Sequence, residues 1–190
     1  MTTPHATPVL RARPLLLADA WRLDLVALRL GEPDALADCY RAHAPQLIAL
    51  AYRLTASTQD AEDVVHDVFV GLPEALVRYE ERGEFAGWLA RVTTRLALVH
   101  RRRERRRRTV QLDGIAVATP SVEADPIAHD RAMRALSQLT PALRHVFVLR
   151  VIEEYSHADV AALLGITVNN SEVRLHRAVQ QLRALLRSIA

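Results

Sequence analysis

The sequence predicts an all-α protein made of two small helical domains joined by a short linker. Three observations predict it. Apolar residues recur every three to four positions over most of the chain, and no segment alternates as a half-buried strand would. Ala, Leu, Val and Arg dominate while aromatics make up 5% of residues, a composition that favours helix. Between 109 and 124 the period lapses around Gly114 and Pro120, which marks a linker between two periodic blocks. The chain has 190 residues, half of them apolar, enough for two small cores.

Residues 1–14 contain Pro4, Pro8 and Pro14 without periodicity and read as a disordered tail. The first domain spans 15–108. Its opening helix, 15–30, alternates apolar and charged residues at helical spacing and stops at Gly31. Asp19, Arg22 and Asp24 follow Leu15, Leu16 and Leu17 too closely for a signal peptide. Glu32, Pro33 and Asp34 restart a helix that runs to about Leu54, with a kink expected at Pro45. Ala56, Ser57 and Thr58 form a turn. The segment 60–76 is the clearest amphipathic helix: Val64, Val65, Val68, Phe69 and Leu72 fall on one face, and Asp60, Asp63, Asp67 and Glu74 form a separate acidic stripe. Pro73 sits inside it and bears on where it ends. Residues 78–84 read as a loop. A long helix over 85–108 follows, with Trp88, Leu89, Val92, Leu96 and Val99 as its buried side and an Arg run over 101–108 broken only by Glu104. Beyond the linker 109–124, the second domain, 125–190, has helices expected at 126–137, 141–153, 157–164 and 168–188.

Charge is distributed unevenly. Residues 1–89 carry a net −5, residues 90–108 a net +8, and the rest balances. All of the positive excess lies in one short block, and its cations are all Arg, since the chain has no Lys. Seven Arg in eight positions cannot share one helical face, so a solvated helix end is the bland reading. Such density after an amphipathic helix points instead to a polyanion, which Arg binds by releasing condensed counterions.

The last two helices form a helix-turn-helix candidate. Ser156 precedes His157, Ala158 and Asp159 as a cap with an acid three residues on. Val160, Ala161 and Leu164 form the buried side, Gly165 permits a left-handed turn and Thr167 caps the next helix. On that helix Val168, Leu175, Val179 and Leu182 share the expected core face. Asn170, Val173, Arg174, Arg177 and Gln181 point away, with Asn169 and His176 at the flank. Asn and Arg can pair bidentately with base edges in a major groove. A helical hairpin with a solvated polar face has the same spacing.

Other chemistry is thinly represented. Glu62 and His66 are spaced i, i+4, and Glu154 and His157 i, i+3, as in carboxylate-bridged metal sites. The second pair straddles a helix start, however, and such sites need several matching helices. No enzyme and no cofactor are expected. The single cysteine, Cys39, has no activating base beside it and is expected to be buried and inert. It forbids an internal disulfide, which fits a cytoplasmic protein. No apolar run approaches the ~20 residues that cross a bilayer, so no membrane insertion is expected.

The order of the motifs carries a family resemblance. DAEDVVHDVF (60–69), GEFAGWLARV (83–92) and then the Arg run resemble the second conserved region of bacterial sigma factors. LTPALRHVFVLRVIEEYSHADVAALLGI (139–166) followed by VRLHRA (173–178) is similar to their fourth region. Only these two regions occur, joined by a short linker, which is the layout of the extracytoplasmic-function (ECF, group four) sigma factors. The resemblance covers about 34–186. It implies a region 2 helical bundle, a region 4 helix-turn-helix, and a sigma factor that binds core RNA polymerase and directs promoter recognition and transcription initiation. By this resemblance Asp60, Glu62, Asp63 and Asp67 would dock on the clamp helices of the largest polymerase subunit. The region 78–103 would engage the minus-ten element and capture a flipped base from the melted strand, with Arg91, Arg95, Arg101 and Arg102 as DNA-binding positions. Unstacked bases need a pocket and a basic track. Asn169, Asn170, Glu172, Val173, His176 and Arg177 would enter the minus-thirty-five major groove. Core RNA polymerase, promoter DNA and an anti-sigma factor are the partners implied.

The chain departs from the family pattern at the reading positions. Arg95 stands where Asn is usual in the promoter-melting helix, and Val99 where Asp is usual. Asn169, Asn170, Ser171 and Glu172 replace a usual Gly-Thr-Val-Lys. Altered promoter specificity or weak promoter binding follows as an expectation. The helical wheel agrees with the groove assignment for Asn170, Val173 and Arg177 but leaves Glu172 near the core edge. A sigma-like regulator that binds polymerase or an anti-sigma factor without initiating is one alternative. A helix-turn-helix repressor acting without polymerase is another. The helix 15–30 lies outside the family pattern and is expected to pack on the first domain, the alternatives being control of DNA binding or a partner of its own. In the free protein the two domains are expected to pack together, or against an inhibitor, and so cover the DNA-reading surfaces.

Overall fold

The computed structural model describes residues 24–80, 85–108 and 126–188, with backbone alone for 101–108, 126–129 and 188. Among these residues every regular element is helical. The expected tail 1–14, the helix portion 15–23 and the linker 109–124 lie outside the described residues. By contact, the chain divides between Ser137 and Gln138 into two compact units.

In the first unit α1 (Leu25–Leu30) starts at Asp24, whose carboxylate accepts the N–H groups of Val26 and Ala27 at 3.1 and 3.0 Å. It ends at Gly31, held in the left-handed region at φ 72°. The helix expected over 15–30 is therefore bounded at Asp24, and its described part is anchored on the unit by the fully buried Leu28. α2 (Pro33–Thr55) opens with Pro33 in its first turn, where a missing N–H costs nothing, and runs on through Pro45. α3 (Thr58–Val70) begins two residues before the expected start, because the Ser57 hydroxyl caps the Asp60 N–H at 3.2 Å. The single helix expected over 60–76 is broken at Gly71, and α4 (Leu72–Leu76) follows. Pro73 is the reason: inside a continuous helix its ring would meet the Phe69 carbonyl and leave it without a donor. Placed in the first turn of α4, it does neither.

α5 (Phe85–Arg108) packs against α2 and α3, and α1 packs on α4. Leu50 and Leu54 of α2, Val64, Val65 and Val68 of α3, and Leu89 of α5 are all essentially inaccessible to water. Each such side chain contributes roughly 1.5–3 kcal/mol of burial. α6 (Pro126–Gln138) counts with this unit through Ser137.

The second unit begins with α7 (Pro141–Phe147), which passes into a π-helical turn at Val148–Ile152. An unbroken helix had been expected over 141–153. The wider turn is closed by the Glu153 N–H on the Val148 carbonyl, five residues back, at 3.0 Å. It buries Val148 and Leu149 and leaves Val151 and Ile152 exposed. α8 (His157–Leu164) and α9 (Val168–Ser188) follow at the expected bounds. α9 packs on both α7 and α8. Among the described residues no helix is long and apolar enough to cross a membrane.

Candidate nucleic-acid interface

The turn between α8 and α9 is fixed by short-range chemistry. Ser156 Oγ accepts the Asp159 N–H at 3.1 Å and donates to the Asp159 carboxylate at 2.6 Å. Gly165 sits at φ 65°, a conformation that a β-carbon would strain. Thr167 Oγ1 accepts the Asn170 N–H at 3.1 Å and caps α9. These three signals were readable in the sequence and hold as expected.

The roll of α9 differs from the expected one. Its buried line is Ser171, Ala178 and Leu182; Leu175 and Val179 are only half-buried and Val168 is exposed. Leu164, expected in the core, is half-buried, as are Arg174 and Gln181, expected to point away. Small side chains along one line let α9 approach its neighbours, so that line and not the valines sets the inner face. Ser171 is fully buried and its hydroxyl is hydrogen-bonded to His157 Nδ1 at 2.9 Å. Burial, with the Arg150 charge added, lowers the His157 pKa from its ordinary 6.5; Glu172 opposes the shift. The guanidinium of Arg150 in turn donates to the Tyr155 carbonyl.

This roll settles the outer face. Asn169, Asn170, Glu172, Val173, His176 and Arg177 are all exposed. Glu172, which the helical wheel set near the core edge, stands with them because the inner line is centred on Ser171 and Ala178. His176 and Gln180 are linked by their side chains at 2.9 Å along this surface.

α5 is rolled in a similar way. Leu89, Thr93, Thr94, Ala97 and Leu98 are buried, whereas Trp88, Val92 and Leu96 are half-buried and Val99 is exposed. The buried side is therefore displaced from the expected one by more than one residue's rotation, roughly 140° on the wheel. Thr93 tolerates burial because its hydroxyl donates to the Leu89 carbonyl at 2.9 Å. On the open side Arg95 is exposed and Arg91 half-buried, beside Trp88 and Val99. The side chains of Arg101 and Arg102 lie outside the described residues.

Sequence reasoning missed the support beneath this face. Tyr79, assigned to a loop, is buried. Its ring lies 4.8 Å from Trp88 and 5.6 Å from Phe85, and His43 meets Phe85 edge-on at 5.5 Å. Three aromatics within ten positions of an aromatic-poor chain were the available signal.

The acidic stripe needs a correction. Glu62, Asp63 and Asp67 are exposed, but Asp60 is 8% exposed and its carboxylate lies 3.6 Å from His100 Nε2 on α5. Asp60 thus faces α5 inside the unit and does not share the exposed surface of Glu62, Asp63 and Asp67. Glu154 precedes α8 in the left-handed region while His157 bonds Ser171. Among the described residues no three His, Cys, Asp or Glu converge as metal ligands. Cys39 is buried, and burial pushes its thiol up to about 12.

The two halves match two family models. Sigma-70 region 2 matches residues 39–107, and Sigma-70, region 4 matches 129–182. The chain is 36% identical over 153 residues to the ECF RNA polymerase sigma factor SigE of Mycolicibacterium smegmatis, covering 77% of this chain and 59% of that protein. It is 31% identical over 164 residues to the RNA polymerase sigma factor CarQ of Myxococcus xanthus, covering 82% of this chain and 91% of that protein. Among solved structures, the sigma factor RpoE of Bartonella quintana, in complex with the anti-sigma factor NepR, shares the fold. The TM-score is 0.60 at 22% identity, over 80% of this chain and 96% of that one. With a region 2 bundle, a region 4 helix-turn-helix and relatives at this level of identity, the chain belongs to the ECF sigma factors of the sigma-70 family.

Proposed function

We propose that the chain binds core RNA polymerase and directs promoter recognition and transcription initiation, with a separate face for each task. The exposed carboxylates Glu62, Asp63 and Asp67 on α3 suit a basic polymerase surface. The open side of α5 sets Trp88 and Val99 beside Arg91 and Arg95, a mixture of stacking surface and cation that suits a melted strand; Arg101 and Arg102 continue along the same helix. Asn169, Asn170, Val173, His176 and Arg177 on α9 offer donors and acceptors to base edges of a duplex. We take the second module as 125–190 by the region 4 match from 129, although α6 counts by contact with the first unit. The protein works in the cytoplasm without a cofactor. An anti-sigma factor is its expected inhibitor, by likeness to the complexed neighbour.

The observation that carries this reading is that the outer face of α9 is exposed and, apart from Val173, polar, while its inner face is capped, turned and hydrogen-bonded into place. In vitro transcription with core polymerase on genomic fragments tests it. Specific start sites that depend on the added chain are expected. A second reading draws on Glu172, whose carboxylate faces outward where phosphates would repel it: the chain then binds polymerase or an anti-sigma factor without initiating. Polymerase binding with no specific start would favour that reading and sink the first.

A further inference from the structure

α1 lies ahead of the region 2 match, which begins at residue 39. Among the described residues it is tied by side-chain hydrogen bonds to a segment far along the chain. Arg29 donates from Nε to the Leu76 carbonyl at 3.1 Å and from Nη2 to the Tyr79 carbonyl at 2.9 Å. Leu76 ends α4, where the last carbonyls have no partner within the helix, and Tyr79 lies three residues beyond it. Here the chain turns on itself, with the Tyr79 N–H on the Leu76 carbonyl at 3.1 Å. A planar guanidinium can bridge two acceptors in this way, whereas an ammonium cannot reproduce the fork.

We propose that Arg29 is a positioning residue for the strand-facing side of α5. The inference rests on the function proposed above and adds a residue outside the matched region. The chain of contact is short. Buried Leu28 and the left-handed Gly31 fix α1. Arg29 then fixes the backbone at 76–79, so the Tyr79 ring has a set place. That ring packs on Trp88 at 4.8 Å and 47°, and Phe85 closes the cluster at 5.8 Å from Trp88. Trp88 is half-buried and shares the open side of α5 with Arg91 and Arg95. Loss of the fork frees Tyr79 and lets the indole turn away from its stacking position. The acidic face of α3 is not part of this path.

The test uses the full chain in a Trp21→Phe background, which leaves Trp88 as the one tryptophan. Three quantities are read for Arg29→Ala and Arg29→Lys: acrylamide quenching of Trp88, affinity for core polymerase, and opening of the minus-ten region by permanganate reactivity. For Arg29→Ala, Trp88 quenching is expected to rise and opening to fall about tenfold, the scale of one or two charge-assisted hydrogen bonds, with polymerase affinity held within about twofold. Arg29→Lys is expected to recover only part of the opening. Unchanged quenching and opening would overturn the proposal. So would a proportional loss of polymerase affinity and opening, which would make α1 a general scaffold. If Arg29→Ala fails to fold, Arg29→Lys is read against the same criteria. If the parent chain opens no promoter, the sigma reading fails while Trp88 quenching still decides the role of Arg29.

Discussion

Helices α5 and α9 both bury hydroxyls completely, and Thr93 and Ser171 are satisfied by different means. Thr93 donates to a carbonyl one turn back in its own helix, so the roll of α5 needs no polar partner elsewhere and is set by packing against α2 and α3. Ser171 reaches across to His157 at the start of α8, so the roll of α9 depends on a second helix and on a side chain that can take up a proton. Their open faces differ in the same sense. That of α5 mixes indole, valine and guanidinium, while that of α9 is mostly amide, imidazole and guanidinium. One suits bases already out of the stack, the other the edges of paired bases. On the function proposed above, the two helices would meet two states of the same DNA.

The largest effects should separate those two states. Arg177→Ala is expected to weaken binding to a duplex minus-thirty-five element by about tenfold or more, at roughly 1–3 kcal/mol per base contact, and to leave capture of a melted minus-ten strand intact. Arg95→Ala is expected to do the reverse. Fluorescence anisotropy of the holoenzyme on duplex and on fork-junction probes reads both, and equal losses on both probes would erase the distinction. Next in size, Ser171→Ala should destabilise by about 1–2 kcal/mol, because it leaves the part-buried His157 ring without its hydroxyl partner, whereas Thr93→Val should cost about 0.5 kcal/mol or less. Urea unfolding of the two variants compares them, and the opposite order would show that α9 is held by packing alone.

A smaller effect follows from pH. The folded state lowers the proton affinity of His157, so below its ordinary 6.5 the unfolded chain binds the proton more tightly. The stability of the second unit is therefore complete above about 6.5, falls as pH drops below that value, and levels off below the folded pKa. His157→Gln should flatten this slope in urea titrations at stepped pH. His43 in the first unit, lowered by burial, adds a parallel slope that should persist in that variant. Smallest is Thr94→Val. The Thr94 hydroxyl is buried and finds no partner among the described residues, so its removal should stabilise by up to about 1 kcal/mol in thermal melts. Destabilisation would mean that the hydroxyl is satisfied after all.

Where the sequence was legible, the signal was local. Ser156, Gly165 and Thr167 mark the bounds of α8 and the start of α9 within a few residues, and Pro73 marks a break that only its exact consequence left open. The outward set on α9 came from the family resemblance, and the wheel alone would have placed Glu172 wrongly. Helix roll was not legible, because hydroxyl residues count as polar in any periodic pattern while Thr93, Thr94 and Ser171 are fully buried. Asp60 left the acidic stripe for a reason forty positions away, at His100. The burial of Tyr79 likewise depends on ring contacts formed only in the folded unit, with Phe85 and Trp88.

The π-helical turn at Val148–Ile152 makes the second unit sensitive to residue count as well as residue type. A wide turn holds one more residue than an ordinary α-helical turn over nearly the same length, so it works as a spacer between α7 and the reading hairpin. Removing the exposed Val151 would let the segment close into regular α-helix with the elements beyond it near their present phase, whereas removing one residue from the α-helical part of α7 would swing them by about 100°. A one-residue deletion in α7 itself would thus re-aim the hairpin, and on the function proposed above promoter choice would depend on the phase of this segment as well as on its outward side chains.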